Sequence, residues 1–286
     1  MSIDPSTVDW ATARRATYRL RQSFRYEYGE PITDLHHRLV VIPPAKFGDQ
    51  RRVYHDLLVE LEDVRRHDRE DQFGNMVVDV FAPEVPRAIE FVAEVTVERS
   101  ASEPNVLAGG WPPDDWLLDP TPLTTPDQSI HAAAAELAAG AEYGLQLADR
   151  INDWVYGSMT YRHDVTGVRT TAAEALALGS GVCQDYAHLM LAVARACGLP
   201  SRYVSGHMLG QGGTHAWVEV VLPAEGGQDA IAWAFDPTHA SRVGLGYVTI
   251  AVGRDYADVA PTSGTYRSGA RGRLTATKKV SLLETE

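Results

Sequence analysis

The sequence has little cysteine, no long apolar run and no dense cluster of basic residues. Its 286 residues include two cysteines, which cannot form the disulfide framework of a small secreted protein. The net charge of −12 argues against a nucleic-acid partner, because phosphate binding needs clustered lysine and arginine. No apolar run is long enough to cross a bilayer, and residues 1–15 lack the pattern of a secretory signal. These absences predict a cytoplasmic protein with reduced thiols and without a nucleic-acid or membrane partner.

The first hundred residues have the alternation that is typical of β-strands. Between residues 17 and 99, apolar and polar side chains alternate in several stretches, and Tyr18 and Phe24 fall on one face of the first. The adjacent His36 and His37 could suggest a metal site, but neighbouring side chains on a strand point in opposite directions. We therefore predict an antiparallel β-rich, sandwich-like domain.

A proline-rich segment divides the chain into two parts. Around residues 111–113 the proline density excludes a regular element, which indicates a linker. Beyond it, helical spacing of apolar residues gives way to strands. The predicted fold class is therefore α+β, with a β-rich domain at residues 1–100, a linker at 101–129 and a second domain at 130–286.

The segment GSGVCQDYAH, at residues 179–188, is a glycine-rich turn that leads into a helix. The helical pattern runs to Gly198 and Pro200, which are typical of a helix end, so Cys183 falls in the first turn. There the unpaired N–H groups and the helix dipole favour a thiolate, the form that attacks carbonyl carbon. Position alone does not decide the role, because a free cysteine is often a small buried hydrophobe. Cys197 would lie roughly 20 Å away, beyond disulfide reach.

A predicted hairpin brings a histidine next to an acid. Its strands cover residues 214–222 and 231–236 and flank a turn that contains two glycines. A turn centred directly after Glu225 places His215 opposite Asp236. Directly opposed side chains share a face, with Cβ atoms about 5 Å apart, which allows a hydrogen bond between an imidazole and a carboxylate.

Cys183, His215 and Asp236 can supply the three groups of nucleophilic acyl transfer. These groups are a nucleophile, a base that holds its proton and an acid that orients the base. Each residue also has a structural alternative, since His215 could be a core histidine and Asp236 could begin a turn before Pro237. Their joint occurrence favours the catalytic interpretation.

A metal site is a competing interpretation of the same region. Its possible ligands are Cys183, His188, His207, His215 and His239. No pair among them has the close spacing of C-x-x-C or H-E-x-x-H. No stretch has the alternating acidic side chains of a calcium-binding loop. We therefore predict neither a metal nor a cofactor.

Four ordered motifs resemble those of the bacterial transglutaminase-like superfamily, which belongs to the papain-like cysteine hydrolases. They are GVCQDYAH (181–188), RYVSG (202–206), HAWVE (215–219) and DPT (236–238). Residues 252–261 are similar to the closing segment of this family. The β-rich region is similar to the N-terminal domain that commonly precedes this core in bacteria.

The resemblance implies that residues 130–286 form a papain-like transglutaminase core. It also implies that Cys183 is the nucleophile, His215 the base and Asp236 the orienting acid. One departure is His239, which stands where relatives often carry asparagine after the Asp-Pro-Thr motif. This change affects the edge of the pocket and leaves the three implied residues intact.

The resemblance leaves the reaction open, because the family includes cross-linking transglutaminases, proteases, deamidases and inactive relatives. The loops expected to rim the site are rich in Gly, Ser and Thr and carry few aromatics besides Trp217; they are residues 210–213, 238–246 and 262–269. Such an open, polar rim favours water as the acyl acceptor, whereas a cross-linker needs an enclosed channel. We predict a thiol hydrolase or peptidase that cleaves an amide bond of a peptide or protein through a thioester. The alternatives are a protein-glutamine γ-glutamyltransferase and a non-catalytic peptide-binding scaffold.

Overall fold

The computed structural model describes residues 3–101, 105–210 and 213–286. The N-terminal region is almost entirely β-structure, and two strands from the end of the chain join it. These strands are β1 (Arg15–Tyr28), β2 (Ile32–Ile42), β3 (Lys46–Phe47), β4 (Gln50–Val59), β5 (Arg65–Glu70), β6 (Met76–Val85), β7 (Ala88–Ser100), β16 (Thr262–Arg267) and β17 (Gly272–Thr285).

The N-terminal strands form two antiparallel sheets that share one core. Their orders are β17-β1-β7-β4-β3 and β16-β2-β6-β5. Tyr18 and Phe24 of one sheet belong to the same buried cluster as Leu39 and Val78 of the other. The alternation seen in the sequence therefore faces a common apolar interior, and the predicted antiparallel β-rich domain is confirmed.

In the sheet that contains β2 and β5, the alternation pattern predicted one feature correctly and missed another. His36 is exposed and His37 is buried, as expected for neighbours on a strand. Strand β5 was not predicted, because all six of its residues, RRHDRE, are exposed and polar. It lies at the edge of its sheet, where a row of charges opposes pairing with another chain.

The last segment of the chain returns to the N-terminal sheets. Strand β16 pairs with β2, and β17 pairs with β1 along nearly its whole length. We expected residues 262–285 to belong to the second domain, whereas their strand pairing joins them to the first. Most of β17 is polar and exposed, so no apolar pattern marked it as a sheet strand.

The second region combines helices with a largely buried sheet. The helices are α1 (Gln128–Ala138), α2 (Leu145–Ser158), α3 (Ala172–Leu178), α4 (Cys183–Ala196) and α5 (Tyr256–Val259). The strands are β8 (Val106–Leu107), β9 (Thr160–Tyr161), β10 (Ser180–Gly181), β11 (Ser201–Met208), β12 (His215–Pro223), β13 (Ala230–Asp236), β14 (Ser241–Arg242) and β15 (Tyr247–Gly253). The main sheet has the order β14-β13-β12-β11-β15. Together with the N-terminal sheets, this arrangement confirms the predicted α+β class.

Helix α4 is the central element of this region. All of its residues from Asp185 to Arg195 are buried, between helices α1 to α3 on one side and strands β11 and β12 on the other. A helix that is buried on every side needs the nearly uniform apolar sequence seen here. After it, Gly198 takes a left-handed conformation with φ of 75°, which ends the helix as the sequence predicted. Among the described residues, no helix has the length and apolar character needed to cross a membrane.

The predicted linker packs on the main sheet. Residues 106–107 form strand β8, which pairs with β13, so the prediction that no regular element occurs here was wrong for this strand. Trp111, Trp116 and Leu117 cover Val221 in a small apolar cluster. Proline excludes long elements, but a two-residue strand and aromatic packing remain possible between prolines.

Candidate active site

The turn before α4 is shaped by an aspartate within the helix. The Asp185 Oδ2 atom accepts hydrogen bonds from the Val182 N–H and from the Thr166 hydroxyl, both at 2.7 Å. A Cβ atom on Gly181 would lie 2.6 Å from the same oxygen, so this position has no room for a side chain. The Gly-Val-Cys-Gln-Asp spacing thereby fixes the start of the helix. It places Cys183 at the first helical position, half-buried at the edge of a cleft.

The hairpin that carries the histidine and the acid has a different register from the predicted one. Glu219 lies opposite Ala234 and Val221 opposite Ala232, so each partner is shifted by two residues from the one that we expected. The turn is centred between Gly226 and Gly227, both of which have positive φ. A shift of two residues preserves the face on which each side chain lies, whereas a shift of one would reverse it.

His215 and Asp236 consequently still meet, across a diagonal of the sheet. The His215 Nε2 atom lies 2.7 Å from Asp236 Oδ2, and the two residues are 2% and 0% exposed. Diagonal neighbours on one face remain within reach of a long side chain. The predicted contact between these two residues is therefore present, although the predicted register was wrong.

Asp236 is held by four hydrogen bonds. Its Oδ2 atom lies 2.7–2.8 Å from His215 Nε2, His239 Nδ1 and the Tyr247 hydroxyl, and its Oδ1 atom accepts from the Thr238 N–H at 2.9 Å. Burial alone raises the pKa of the Asp236 carboxyl, but the contact with His215 and the other donors outweighs it and lowers the pKa overall. Asp236 thus stays ionised while being fully buried.

His215 has a strongly raised pKa. Burial by itself lowers the pKa of the imidazole, but hydrogen bonds to Asp236 and to Cys183 outweigh burial and raise it to about 9. Because Nε2 faces Asp236, Nδ1 is the nitrogen that is left for the thiol of Cys183. His215 thus contacts Asp236 and lines the same cleft as Cys183, so the three predicted site residues lie together.

Two other buried histidines have lowered pKa values, in contrast to His215. Burial lowers the pKa of His188 and of His207 to about 4. His188 Nε2 accepts a hydrogen bond from the Tyr256 N–H, and His207 Nδ1 lies 3.2 Å from the Gly213 carbonyl oxygen. The charge of Asp255 partly offsets burial at His188, but in the described residues neither histidine hydrogen-bonds a carboxylate, so both stay neutral near neutral pH.

Cys183 opens to a cleft of about 430 Å³ between the second region and strand β17. Residues 211 and 212 lie outside the described residues, and among the described residues of the three segments expected to rim the site, only Gly213 lines this cleft. Residues 262–267 pair with β2 instead, and Trp217 is buried in a separate cluster with Tyr247. The side chains that face the cleft include Tyr161, His163, Gln184, Tyr203, Tyr256 and Lys278. The expectation of a glycine-rich rim with few aromatics was therefore wrong.

Only part of the possible metal-ligand set converges. In the described residues, the one group of nitrogen and carboxylate ligands close enough to share an ion is His215, Asp236 and His239, whose ligand atoms lie within 4.8 Å of one another. Both imidazoles in this group hydrogen-bond Asp236 Oδ2. His188 and His207 make their contacts elsewhere. The absence of a metal or cofactor stays a prediction.

Sequence reasoning missed two neighbours of the site. Tyr247, on β15, donates to Asp236 from eleven residues away in the chain. Lys278, on β17, reaches the cleft from the other sheet system. Neither residue stands in a local motif, so their roles depend on strand pairing that only the structure reveals.

The chain matches two family models that together span both regions. The model described as Transglutaminase-like superfamily matches residues 131–235, and the model described as Bacterial transglutaminase-like N-terminal region matches residues 18–98. The first range includes the Cys183 turn and His215 and ends one residue before Asp236. The two matched ranges do not overlap, and residues 99–130 lie between them.

Similar proteins occur in mycobacteria and beyond. An uncharacterized protein of Mycobacterium tuberculosis is 30% identical over 295 residues, which cover 92% of this chain and 91% of the relative. An uncharacterized protein of Mycobacterium leprae is 29% identical, and the match covers 87% of this chain and 92% of the relative. A solved structure from Cytophaga hutchinsonii, described as a candidate cysteine protease, has a TM-score of 0.75 at 22% identity and covers 95% of this chain and 92% of that one. This last similarity shows a shared fold across both regions.

Proposed function

This chain belongs to the transglutaminase-like superfamily, and on that basis we propose that it is a cysteine-dependent hydrolase that cleaves an amide bond through a thioester. One observation carries the proposal. A buried carboxylate, Asp236, holds a histidine whose pKa is raised to about 9, and that histidine hydrogen-bonds the half-buried Cys183 at the mouth of a cleft.

The first half of the reaction forms the thioester. The Cys183 thiolate attacks the carbonyl carbon of the amide, and the His215 imidazolium donates its Nδ1 proton to the departing amine nitrogen. The carbon–nitrogen bond breaks and the amine leaves. A histidine with a pKa near 9 is protonated before this step, so it is ready to act as the acid.

The second half releases the acid product. Neutral His215 takes a proton from a water molecule, whose oxygen attacks the thioester carbonyl, and Cys183 leaves as the thiolate. Asp236 keeps Nε2 protonated and stabilises the imidazolium in both halves. Tyr247 and His239 in turn fix the carboxylate, since both hydrogen-bond the same oxygen.

The oxyanion that forms in each half needs hydrogen-bond donors. The backbone N–H of Cys183 is one candidate, because the first N–H groups of a helix have no partner within the helix. The hydroxyl of Tyr161, which lines the same cleft, is a second candidate. Burial, and to a smaller extent the charge on Cys183, raises the pKa of Tyr161, so its hydroxyl keeps its proton.

A protein-glutamine γ-glutamyltransferase is the second candidate function. The observation in its favour is the aromatic lining of the cleft by Tyr161, Tyr203 and Tyr256, which is more apolar than the sequence suggested. An apolar wall helps an amine to compete with water for the thioester. A peptide or protein is the proposed substrate in both cases.

Product analysis on a peptide library separates the candidates. The protein is incubated with peptides that contain glutamine and other amides, together with a labelled primary amine in excess, and products are identified by mass spectrometry. We expect hydrolysed products to dominate and to disappear in Cys183→Ala. Predominant amine conjugation that also needs Cys183 would make the transferase the leading assignment. Products that persist in Cys183→Ala, or peptide binding without any product, would reject the cysteine enzyme in favour of contamination or a binding scaffold.

A further inference from the structure

A lysine from the C-terminal strand lines the cleft together with the candidate nucleophile. Lys278 lies on β17, in register with Gln22 of β1, and so belongs to the N-terminal sheet system. Its side chain nevertheless lines the same cleft as Cys183. Lys278 is half-buried, whereas its neighbours Thr277 and Lys279 are exposed. Of two adjacent lysines, the strand therefore directs only Lys278 into the cleft.

The position of this ammonium group is defined by two contacts. The Lys278 Nζ atom lies 3.5 Å from the Thr214 hydroxyl and 5.5 Å from the centre of the Phe24 ring. Thr214 directly precedes His215 in the chain. Burial lowers the pKa of Lys278, and the negative charge on Cys183 partly offsets this effect. Lys278 and Cys183 line the same cleft, so one bound substrate can contact both.

Among the described residues, no acidic side chain lines the cleft beside this lysine. Within the described ranges, no ion pair includes Lys278, and no aspartate or glutamate lines the cleft. The chain as a whole carries a net charge of −12, whereas Lys278 contributes a positive charge to the cleft. A partly desolvated ammonium without a carboxylate partner is well complemented by a carboxylate of a ligand, which forms strong charge-assisted hydrogen bonds with it.

We propose that Lys278 binds a carboxylate of the substrate, so that the enzyme cleaves amide bonds that lie next to a carboxylate group. This inference rests on the proposed function, because it takes Cys183 as the nucleophile that the bound substrate must reach. The carboxylate has two possible sources in a peptide: an aspartate or glutamate side chain, or a free C-terminal carboxyl group. Lys278 is in this view a residue that determines specificity.

The competing role for Lys278 is support of the Cys183 thiolate. A cation near a thiolate stabilises it whatever the substrate is. That role changes the rate for all substrates by the same factor and changes the pH dependence of thiol labelling. Carboxylate binding instead changes the ratio of rates between acidic and neutral substrates and acts mainly through KM.

The test uses matched peptides built on a substrate found in the library experiment. One pair carries Glu or Gln next to the scissile amide with both ends blocked, and a second pair carries a free or an amidated C-terminus with no acidic side chain. Values of kcat/KM are measured for the wild type and for Lys278→Met, Lys278→Arg and Lys278→Glu. Lys279→Met, which removes the same charge from the exposed neighbour, is the matched control.

We expect the wild type to prefer the carboxylate member of one pair by about tenfold or more, as for a charged hydrogen bond. Lys278→Met abolishes that preference, and Lys278→Glu reverses it towards a peptide with lysine at the same position. Lys278→Arg and Lys279→Met retain it, which shows that the loss does not come from a damaged fold. The pair that shows the preference identifies the source of the carboxylate.

Equal preference in the wild type and Lys278→Met would overturn the inference. A uniform loss on all peptides, with an altered pH dependence of Cys183 labelling, would also overturn it and assign Lys278 to thiolate support. Cleavage that survives Cys183→Ala would instead contradict the proposed function. The two failures are therefore distinguishable.

Discussion

The two ends of helix α4 carry the two cysteines of this chain in opposite surroundings. At the N-terminal end, Cys183 opens to a cleft that His215 also lines, and Cys183 helps to raise the pKa of His215. At the C-terminal end, Cys197 packs against helix α1, and its thiol donates to the Ala134 carbonyl oxygen at 3.4 Å. Burial raises the pKa of Cys197, which keeps it a thiol.

The two ends also differ in how they are tied to the rest of the protein. Arg195, in the last turn, donates to the Thr124 hydroxyl and to the carbonyl oxygens of Ser201 and Arg254. Burial lowers the pKa of Arg195 to about 10, so it remains charged at neutral pH. Hydrogen bonds thus fix the C-terminal end of α4 to the core, whereas the N-terminal end is accessible to a ligand.

This contrast shows that the reactivity of a cysteine depends on the side chains that face it. Both thiols lie at ends of the same helix, and both are partly buried. Only Cys183 has a histidine whose pKa is held high by a buried carboxylate. Substitutions around Cys183 should therefore affect catalysis, and substitutions around Arg195 should affect stability.

Removing the thiol at the N-terminal end should abolish activity. Cys183→Ala is expected to lower kcat/KM by roughly 10⁴-fold or more, because no other group forms the thioester. Cys197→Ala is the matched control and should stay within about twofold of the wild type, since it contacts no part of the cleft. Rates on a peptide from the library measure both variants. Comparable losses of kcat/KM in the two variants would contradict the proposed difference between the two ends of α4.

Removing the charge of Asp236 should change the pH dependence of the activity. The imidazolium form of His215 is needed for amine departure, so activity should fall as pH rises through about 9. Asp236→Asn removes the charge that raises this pKa, so the alkaline limb should move down towards the ordinary histidine value of 6.5. The rate should also fall about 10²-fold or more, because the imidazolium loses its support. An unchanged alkaline limb would exclude His215 as the group that titrates.

Removing the hydrogen bonds of Arg195, at the C-terminal end of α4, should lower the stability of the protein and leave its activity almost unchanged. Arg195→Met removes a charged donor from the buried Thr124 hydroxyl, which still accepts from the Thr121 N–H, and from two carbonyl oxygens. We expect a loss of about 2–3 kcal/mol in the free energy of unfolding, as for other buried charged donors. Denaturant unfolding measures the loss, and kcat/KM below the transition should change little. A large fall in kcat/KM without a loss of stability would show that the C-terminal end of α4 influences the cleft.

The smallest effect is expected from the outer partner of the carboxylate. His239 is about one-third exposed and supplies one of the contacts to Asp236 Oδ2. His239→Asn should lower kcat by about three- to fivefold, in line with the loss of one hydrogen bond. Tyr247→Phe, which removes a buried donor to the same oxygen, should have an equal or larger effect. Activity that increases in His239→Asn would show that this histidine competes with His215 for the carboxylate.

Local sequence signals predicted the positions of single elements well. The glycine turn, the apolar run and Gly198 defined α4 correctly from Cys183 onward, because helix starts and ends depend on neighbouring residues. The hairpin register was wrong by two residues, because the turn between the strands has two adjacent glycines and several possible centres. The contact of His215 with Asp236 was nevertheless right, since only the face of each strand had to be correct.

Long-range pairing is what the sequence could not reveal. Strand β17 is polar and exposed at most positions, so its pairing with β1 leaves no apolar pattern. Lys278 therefore had no visible link to Cys183. The lining of the cleft was misjudged for the same reason, because residues 262–267 pair with an N-terminal strand instead of rimming the site. A cytoplasmic location and the domain boundaries stay predictions.

Thiol labelling tests the central claim, that His215 activates Cys183, without any knowledge of the substrate. The wild type and His215→Ala are treated with a limiting amount of iodoacetamide between mildly acidic and alkaline pH, and the labelled fraction of each cysteine is followed by peptide mass spectrometry. We predict that Cys183 reacts roughly tenfold or more faster than Cys197 at about pH 6, and that His215→Ala removes this advantage without changing Cys197. Equal rates for the two thiols in the wild type, or a Cys183 rate that is unaffected by His215→Ala, would contradict the account.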